Sequence, residues 1–139
     1  MEHHLTTYIT HDTLISARGF GTQENLEAIR SYHSGITLQT DKRIADTPRL
    51  AATISQERLQ QQAETAGISA YTRMEQLFIL TINDLIRQSG QTLEDKTCGL
   101  ILSTTKGNID LLTRHTEHPD EAVFLWKMAE NIAGYFHAE

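Results

Sequence analysis

One thiol, seven histidines and the run Ser103-Thr104-Thr105-Lys106-Gly107-Asn108 are the features of this 139-residue chain whose residue types could do chemistry. Cys98 is the only cysteine and so the only candidate thiol nucleophile. Such a thiol is activated by a helix N-terminus or a neighbouring cation, and in open α/β sheets the reactive edge lies at the carboxyl ends of the strands. Cys98 stands at the amino end of the apolar run Gly99-Leu100-Ile101-Leu102, and its sequence setting is that of a small buried hydrophobe. His115-Thr116-Glu117-His118 has an HxxH spacing. It lacks the HExxH order that puts two imidazoles on one helical face, and Pro119 argues for a loop there. His3, His4 and His11 read as solvated or partly buried side chains, and no full metal-ligand set is visible. The expectation is no metal and no cofactor.

The Ser103–Asn108 run has the strand, turn and helix setting of a phosphate loop. A Walker A loop, however, needs glycines at both ends so that successive amides face the phosphates, whereas here Lys106 precedes the only glycine. A small-residue turn after a buried strand is also where an α/β protein lines a ligand site. Pocket lining and a plain turn stand as equal readings of Thr105 to Asn108. Ser16, Ser34, Ser55 and Ser103 lack the GxSxG elbow. The adjacent pairs Glu94-Asp95 and Asp120-Glu121 read as solvated or helix-start charges, not as an acid and a base. No catalytic residue is assigned.

The elements that must position these residues follow from periodicity. Thr6 to Ser16 is rich in β-branched and aromatic types and reads as one strand or two short ones. After the turn Arg18-Gly19-Phe20-Gly21, Thr22 is the expected N-cap of a helix running to about Tyr32, with Leu26, Ile29 and Tyr32 inward. Ile36 to Leu38 reads as a short extended segment, and Gln39 to Gln56 as an excursion without a clear period. Glu57 to Ala66 is a polar helix closed by Gly67, its thin stripe being Leu59 and Ala63. The strongest helical pattern runs through Tyr71, Met74, Leu77, Phe78, Ile82, Leu85 and Ile86, with Gly90 as its stop. Thr97 to Thr105 reads as a strand covered on both faces. A short helix is expected near Asn108, and a last one, opened by Pro119, carries a stripe through Ala122, Leu125, Trp126, Ala129, Ile132, Ala133 and Phe136.

This order predicts a single α/β domain over residues 1–139, a small mixed sheet covered by helices. Three strand candidates make a small sheet. Twelve Lys and Arg against eighteen Asp and Glu give a formal charge of −6, which argues against a general nucleic-acid binder. No stretch approaches the ~18 apolar residues of a membrane span, and Met1-Glu2-His3-His4 has no signal-peptide character. With a lone cysteine, the cytoplasm is the expected compartment.

Taken in order, these motifs resemble the N-terminal part of the β-ketoacyl-acyl-carrier-protein synthases, condensing enzymes of the thiolase-like fold. Tyr8-Ile9-Thr10 through Ile15-Ser16-Ala17, with Gly19, Gly21 and Glu24 to Ile29, is similar to the family's first strand, glycine turn and first helix. Ser34-Gly35-Ile36 matches the segment that follows. Arg73 to Gly90 leading into Cys98 to Asn108 resembles the helix and central strand-plus-turn, and Ala129 to Tyr135 the helix that approaches the nucleophile strand.

The resemblance implies a partial thiolase-like fold and decarboxylative Claisen condensation of acyl and malonyl thioesters in fatty acid or polyketide-type synthesis. It also implies an acyl carrier protein as partner, and self-association or a ketosynthase partner subunit. Thr105, Lys106, Gly107 and Asn108 match the family turn beside the acyl channel. The family's nucleophilic cysteine follows the last helix, and its two later histidines bind the thioester oxygen. The chain reaches Glu139 before such a motif, and Cys98 does not inherit the role. Whether the chain is itself an enzyme is therefore open, and inactivity of these residues alone is expected. A non-catalytic module that binds a carrier protein or a ketosynthase subunit is the alternative.

Overall fold

A computed structural model describes residues 6–42, 45–112 and 120–138. Within them lie four α-helices and one antiparallel pair of strands. The helices are α1 (Thr22–Arg30), α2 (Gln56–Thr65), α3 (Arg73–Ser89) and α4 (Leu125–Tyr135), and the strands are β1 (Ile36–Gln39) and β2 (Arg49–Ala52). Two single 3₁₀ turns, Ile109–Leu111 and Glu121–Val123, precede α4.

The centre is helical. Ala63 of α2, Ile79 and Ile82 of α3, and Met128 and Ile132 of α4 meet Ile68 and Phe136 in one buried cluster. Tyr71 and Tyr135 close it with an edge-to-face contact at 5.7 Å, and Tyr135 meets Phe136 the same way at 4.8 Å. The local causes of α3 are complete in its sequence. Thr72 accepts from the Glu75 amide while the Glu75 carboxylate accepts from the Thr72 amide, and Gly90 takes the left-handed conformation that ends the helix. Leu59 and Ala63, the expected stripe of α2, are both buried.

The mixed α/β composition is as expected, but the sheet is not. β1 and β2 pair Ile36 with Ala52 and Gln39 with Arg49. They form an antiparallel ribbon rather than a mixed sheet, and Ile36, Leu38 and Leu50 are exposed on it, with no helix covering them. The excursion from Gln39 to Gln56 thus contains the returning strand. Thr6 to Ser16 forms no ladder; its one pairing is an isolated bridge between Ile15 and Phe20. Thr97 to Thr105 forms none either.

Helix α1 turns the other way from its apolar pattern. Leu26, Ile29 and Tyr32 are exposed, and the buried residue is Asn25. Its side chain donates to the Gly21 carbonyl at 2.8 Å and the Leu14 carbonyl at 3.3 Å, and accepts from the Ser16 hydroxyl. Those bonds lock the glycine turn onto the helix start, and they fix which face points inward. The N-cap is Gly21 rather than Thr22, whose hydroxyl bonds to Asp12 instead. Helix α4 begins at Leu125. Pro119 and the His115–His118 motif, like His3 and His4, lie outside the described residues.

Candidate functional site

The turn after Thr104 is the candidate site that sequence and structure share. Thr104 Oγ1 accepts from the amides of Lys106 and Gly107 at 3.2 and 3.1 Å, which folds the chain back on itself. Gly107 then takes φ +57°, and a Cβ there would lie 2.4 Å from Leu125 Cδ2. Only glycine fits both the backbone and the space.

The four residues of this turn divide by role. Thr105 and Lys106 are exposed and Gly107 is buried. Asn108 is fully buried: it accepts from Thr72 Oγ1 at 2.8 Å and donates to the Ala122 carbonyl at 2.7 Å. It is a staple between the start of α3 and the turn Glu121–Val123. Lys106 and Gly107 line a cleft of about 190 Å³ together with Arg73, Met74, Leu77, Ile109 and Asp110. Its floor is the apolar Met74, Leu77 and Ile109, and its charged groups are two cations and one carboxylate. The guanidinium of Arg73 is held by the Ile54 carbonyl at 3.1 Å and by Gln56. Such a cleft can hold an apolar chain with a polar or anionic end. It contains no nucleophile with a base, and no oxyanion site is assembled there.

The buried carboxylate beside it was not legible as such. Glu75 is 1% exposed, and its second oxygen accepts from Asn131 Nδ2 at 2.8 Å. With Thr72 and Asn108 it forms a chain of bonds from α4 through α3 to the turn. Every buried side-chain polar atom among the described residues has a partner. This network therefore positions the cleft and does not wait for a ligand.

Cys98 lies elsewhere, half-buried in a second cavity with Leu93, Leu100, Leu102, Ala129, Glu130, Ala133 and Ala138. That lining is apolar apart from the Glu130 side chain. A third cavity, of about 300 Å³, includes Thr13, Phe20, Asn83, Asp84 and Arg87. There burial pushes the Asp84 carboxyl up, but hydrogen bonds from Thr13, Arg87 and Gln88 outweigh it and hold the group below its ordinary range. Glu24 is held low mainly by its hydrogen bond from Arg58, at 2.6 Å, and by the Phe20 amide. Arg58 also lies over the Phe20 ring, 4.9 Å from its centroid.

No family model, curated protein or solved structure matches the chain. Among the described residues no three His, Cys, Asp or Glu side chains gather to hold a metal ion. No described helix is long and apolar enough to cross a membrane.

Proposed function

We infer that this chain supplies the N-terminal region of a β-ketoacyl-acyl-carrier-protein synthase of the thiolase-like fold. Its substrates are then acyl and malonyl thioesters carried on an acyl carrier protein, and its compartment is the cytoplasm. The support is the order of motifs, and above all one observation at Thr97 to Thr104. Exposure alternates residue by residue there, with Cys98, Leu100, Leu102 and Thr104 turned in and Thr97, Gly99, Ile101 and Ser103 turned out. That is the period of a strand, ending in the glycine turn that the resemblance places at the acyl channel, with Lys106 and Gly107 on the cleft. In this reading Lys106 and Gly107 line the path of the acyl chain, Thr105 is the exposed lip of the turn, and Asn108 holds the turn in place. Condensation needs a cysteine nucleophile and an oxyanion site held together, and neither is brought together here.

The second reading, a module that binds a carrier protein or a ketosynthase subunit without catalysis, draws on Lys106. It is an exposed cation at the mouth of an apolar cleft in a chain of charge −6.

An antibody to this domain, used on extracts of the source cells, separates the two. A species much larger than 15.7 kDa is expected; one at that mass would overturn the first reading and advance the second. The isolated chain should show no condensing turnover with acyl- and malonyl-carrier-protein substrates. Turnover lost on Cys98→Ser would overturn the site placement.

A further inference from the structure

A cavity of about 300 Å³ opens where α2, α3 and the segment from Thr13 to Gly21 meet. It shares no lining residue with the Lys106–Gly107 cleft or the Cys98 cavity. Its volume suits a small molecule. Ile15, Phe20 and Leu80 supply apolar wall, and Gln62, Asn83 and Asp84 are among its polar lining. Two charged groups line it, and they are unequal: the Asp84 side chain is 20% exposed and that of Arg87 77%. Thr13 and Gln88 both donate to Asp84 Oδ2, at 2.6 and 2.8 Å, which leaves Oδ1 to the Arg87 guanidinium alone. Those bonds keep the carboxylate ionised at neutral pH. Among the described residues nothing bonds to the Gln62 side-chain amide or to Asn83 Oδ1, and Asn83 Nδ2 has only a 3.4 Å bond to the Tyr135 hydroxyl. The open positions are therefore mainly oxygens, set around one sheltered negative charge.

We propose that this cavity binds a small organic cation, an amine or amidine on an apolar body. Its N–H groups donate to Asp84 Oδ1 and to the side-chain carbonyls of Asn83 and Gln62, while the body packs on Phe20, Leu80 and Ile15. Charge selects this class. An anion would meet the sheltered Asp84, and a neutral molecule would leave that charge to its exposed partner. Arg87 is the group the ligand displaces, since an exposed ion pair holds it with little net energy, whereas a charge-assisted bond in a sheltered site is stronger. The other nearby cation, Arg58 over the Phe20 ring, is already offset by its pair with Glu24 at 2.6 Å. The inference rests on this cavity and not on the condensing-enzyme reading, and it holds or fails separately.

Titration of the full chain with benzamidine, followed by amide chemical shifts, should saturate, with the largest shifts at Gly21, Asn83 and Asp84. Benzamide, of the same shape without the charge, should bind about tenfold or more weakly, and benzoate should not bind. Arg87→Ala removes the competing guanidinium and should tighten benzamidine binding by about two- to fivefold. Asp84→Asn should erase the preference over benzamide. Gln62→Leu, which breaks no side-chain bond of the free protein, should weaken benzamidine by about three- to tenfold, and it keeps the test open if Asp84→Asn unfolds. Absence of saturation, equal affinity for benzamide, or largest shifts outside the cavity would overturn the proposal. So would unchanged or weaker binding in Arg87→Ala, or unchanged binding in Gln62→Leu.

Discussion

Gly19 is where a single residue decides a local structure. A Cβ there would stand 2.6 Å from the Glu24 Cβ and 2.9 Å from the Asn25 amide nitrogen, so the turn can close on α1 only without a side chain. Gly19→Ala should destabilise the fold by about 1–3 kcal/mol, measured by urea unfolding. Gly107→Ala meets Leu125 and also needs a positive φ, and a similar or larger loss is expected. Glu24 sets a pH dependence nearby. Its carboxyl is held low, so the stability it adds is present above the ordinary carboxylate range near pH 4 and is lost as pH falls through its depressed value. Asp84 acts in the same direction. Thermal midpoints should therefore drop on the acid side of about pH 4, and Glu24→Gln should flatten part of that slope. At neutral pH the same substitution should cost about 1 kcal/mol or less, because the pair with Arg58 is partly exposed.

At the scale of elements, Glu75 joins α3 to α4 and, through Thr72, to Asn108. One oxygen completes the capping box with Thr72, and the other receives Asn131 from α4. Removing it leaves two part-buried donors without acceptors and breaks half of the capping box, while Thr72 still caps the helix. Glu75→Ala should destabilise by about 2–4 kcal/mol. Glu75→Gln keeps one oxygen but aims an amide at a donor, and it should fall between the two chains in the same unfolding experiment. The stop of α3 at Gly90 was read from the sequence; the cap, a Thr with a Glu three residues on, is just as local but was not. That Glu75 is also buried was not legible, because Asn131 is far away in sequence. The stripe of α4 was legible in its second half, at Ile132 and Phe136. Its first half was not, since Leu125 and Trp126 are exposed, and the Trp126 ring instead stacks on Phe124 at 6.3 Å.

For the whole molecule, the helical cluster of α2, α3 and α4 is the part that has its own core, and the ribbon β1–β2 stands outside it. Denaturant should release the ribbon and α1 before that cluster. Hydrogen exchange should therefore show amides of β1 and β2 exchanging well before those of Ile79, Ile82 and Ile132. Uniform protection across both regions would overturn this division.

What the sequence by itself determined are the features that neighbours along the chain can settle. The 3.6-residue period of α3, its capping pair and the left-handed stop at Gly90 all arise from residues within a few positions of one another. Tertiary structure decided what each of those faces meets. It turned Asn25 inward and Leu26 outward, because the Asn25 amide bonds to the Leu14 and Gly21 carbonyls and to the Ser16 hydroxyl, which no leucine could do. It made Asn108 a staple, because Thr72 and Ala122 come from segments no local pattern joins to it. It also left Thr97 to Thr105 without a ladder and with one face exposed rather than both covered, since neither a strand's partner nor its covering layer is written in its own residues.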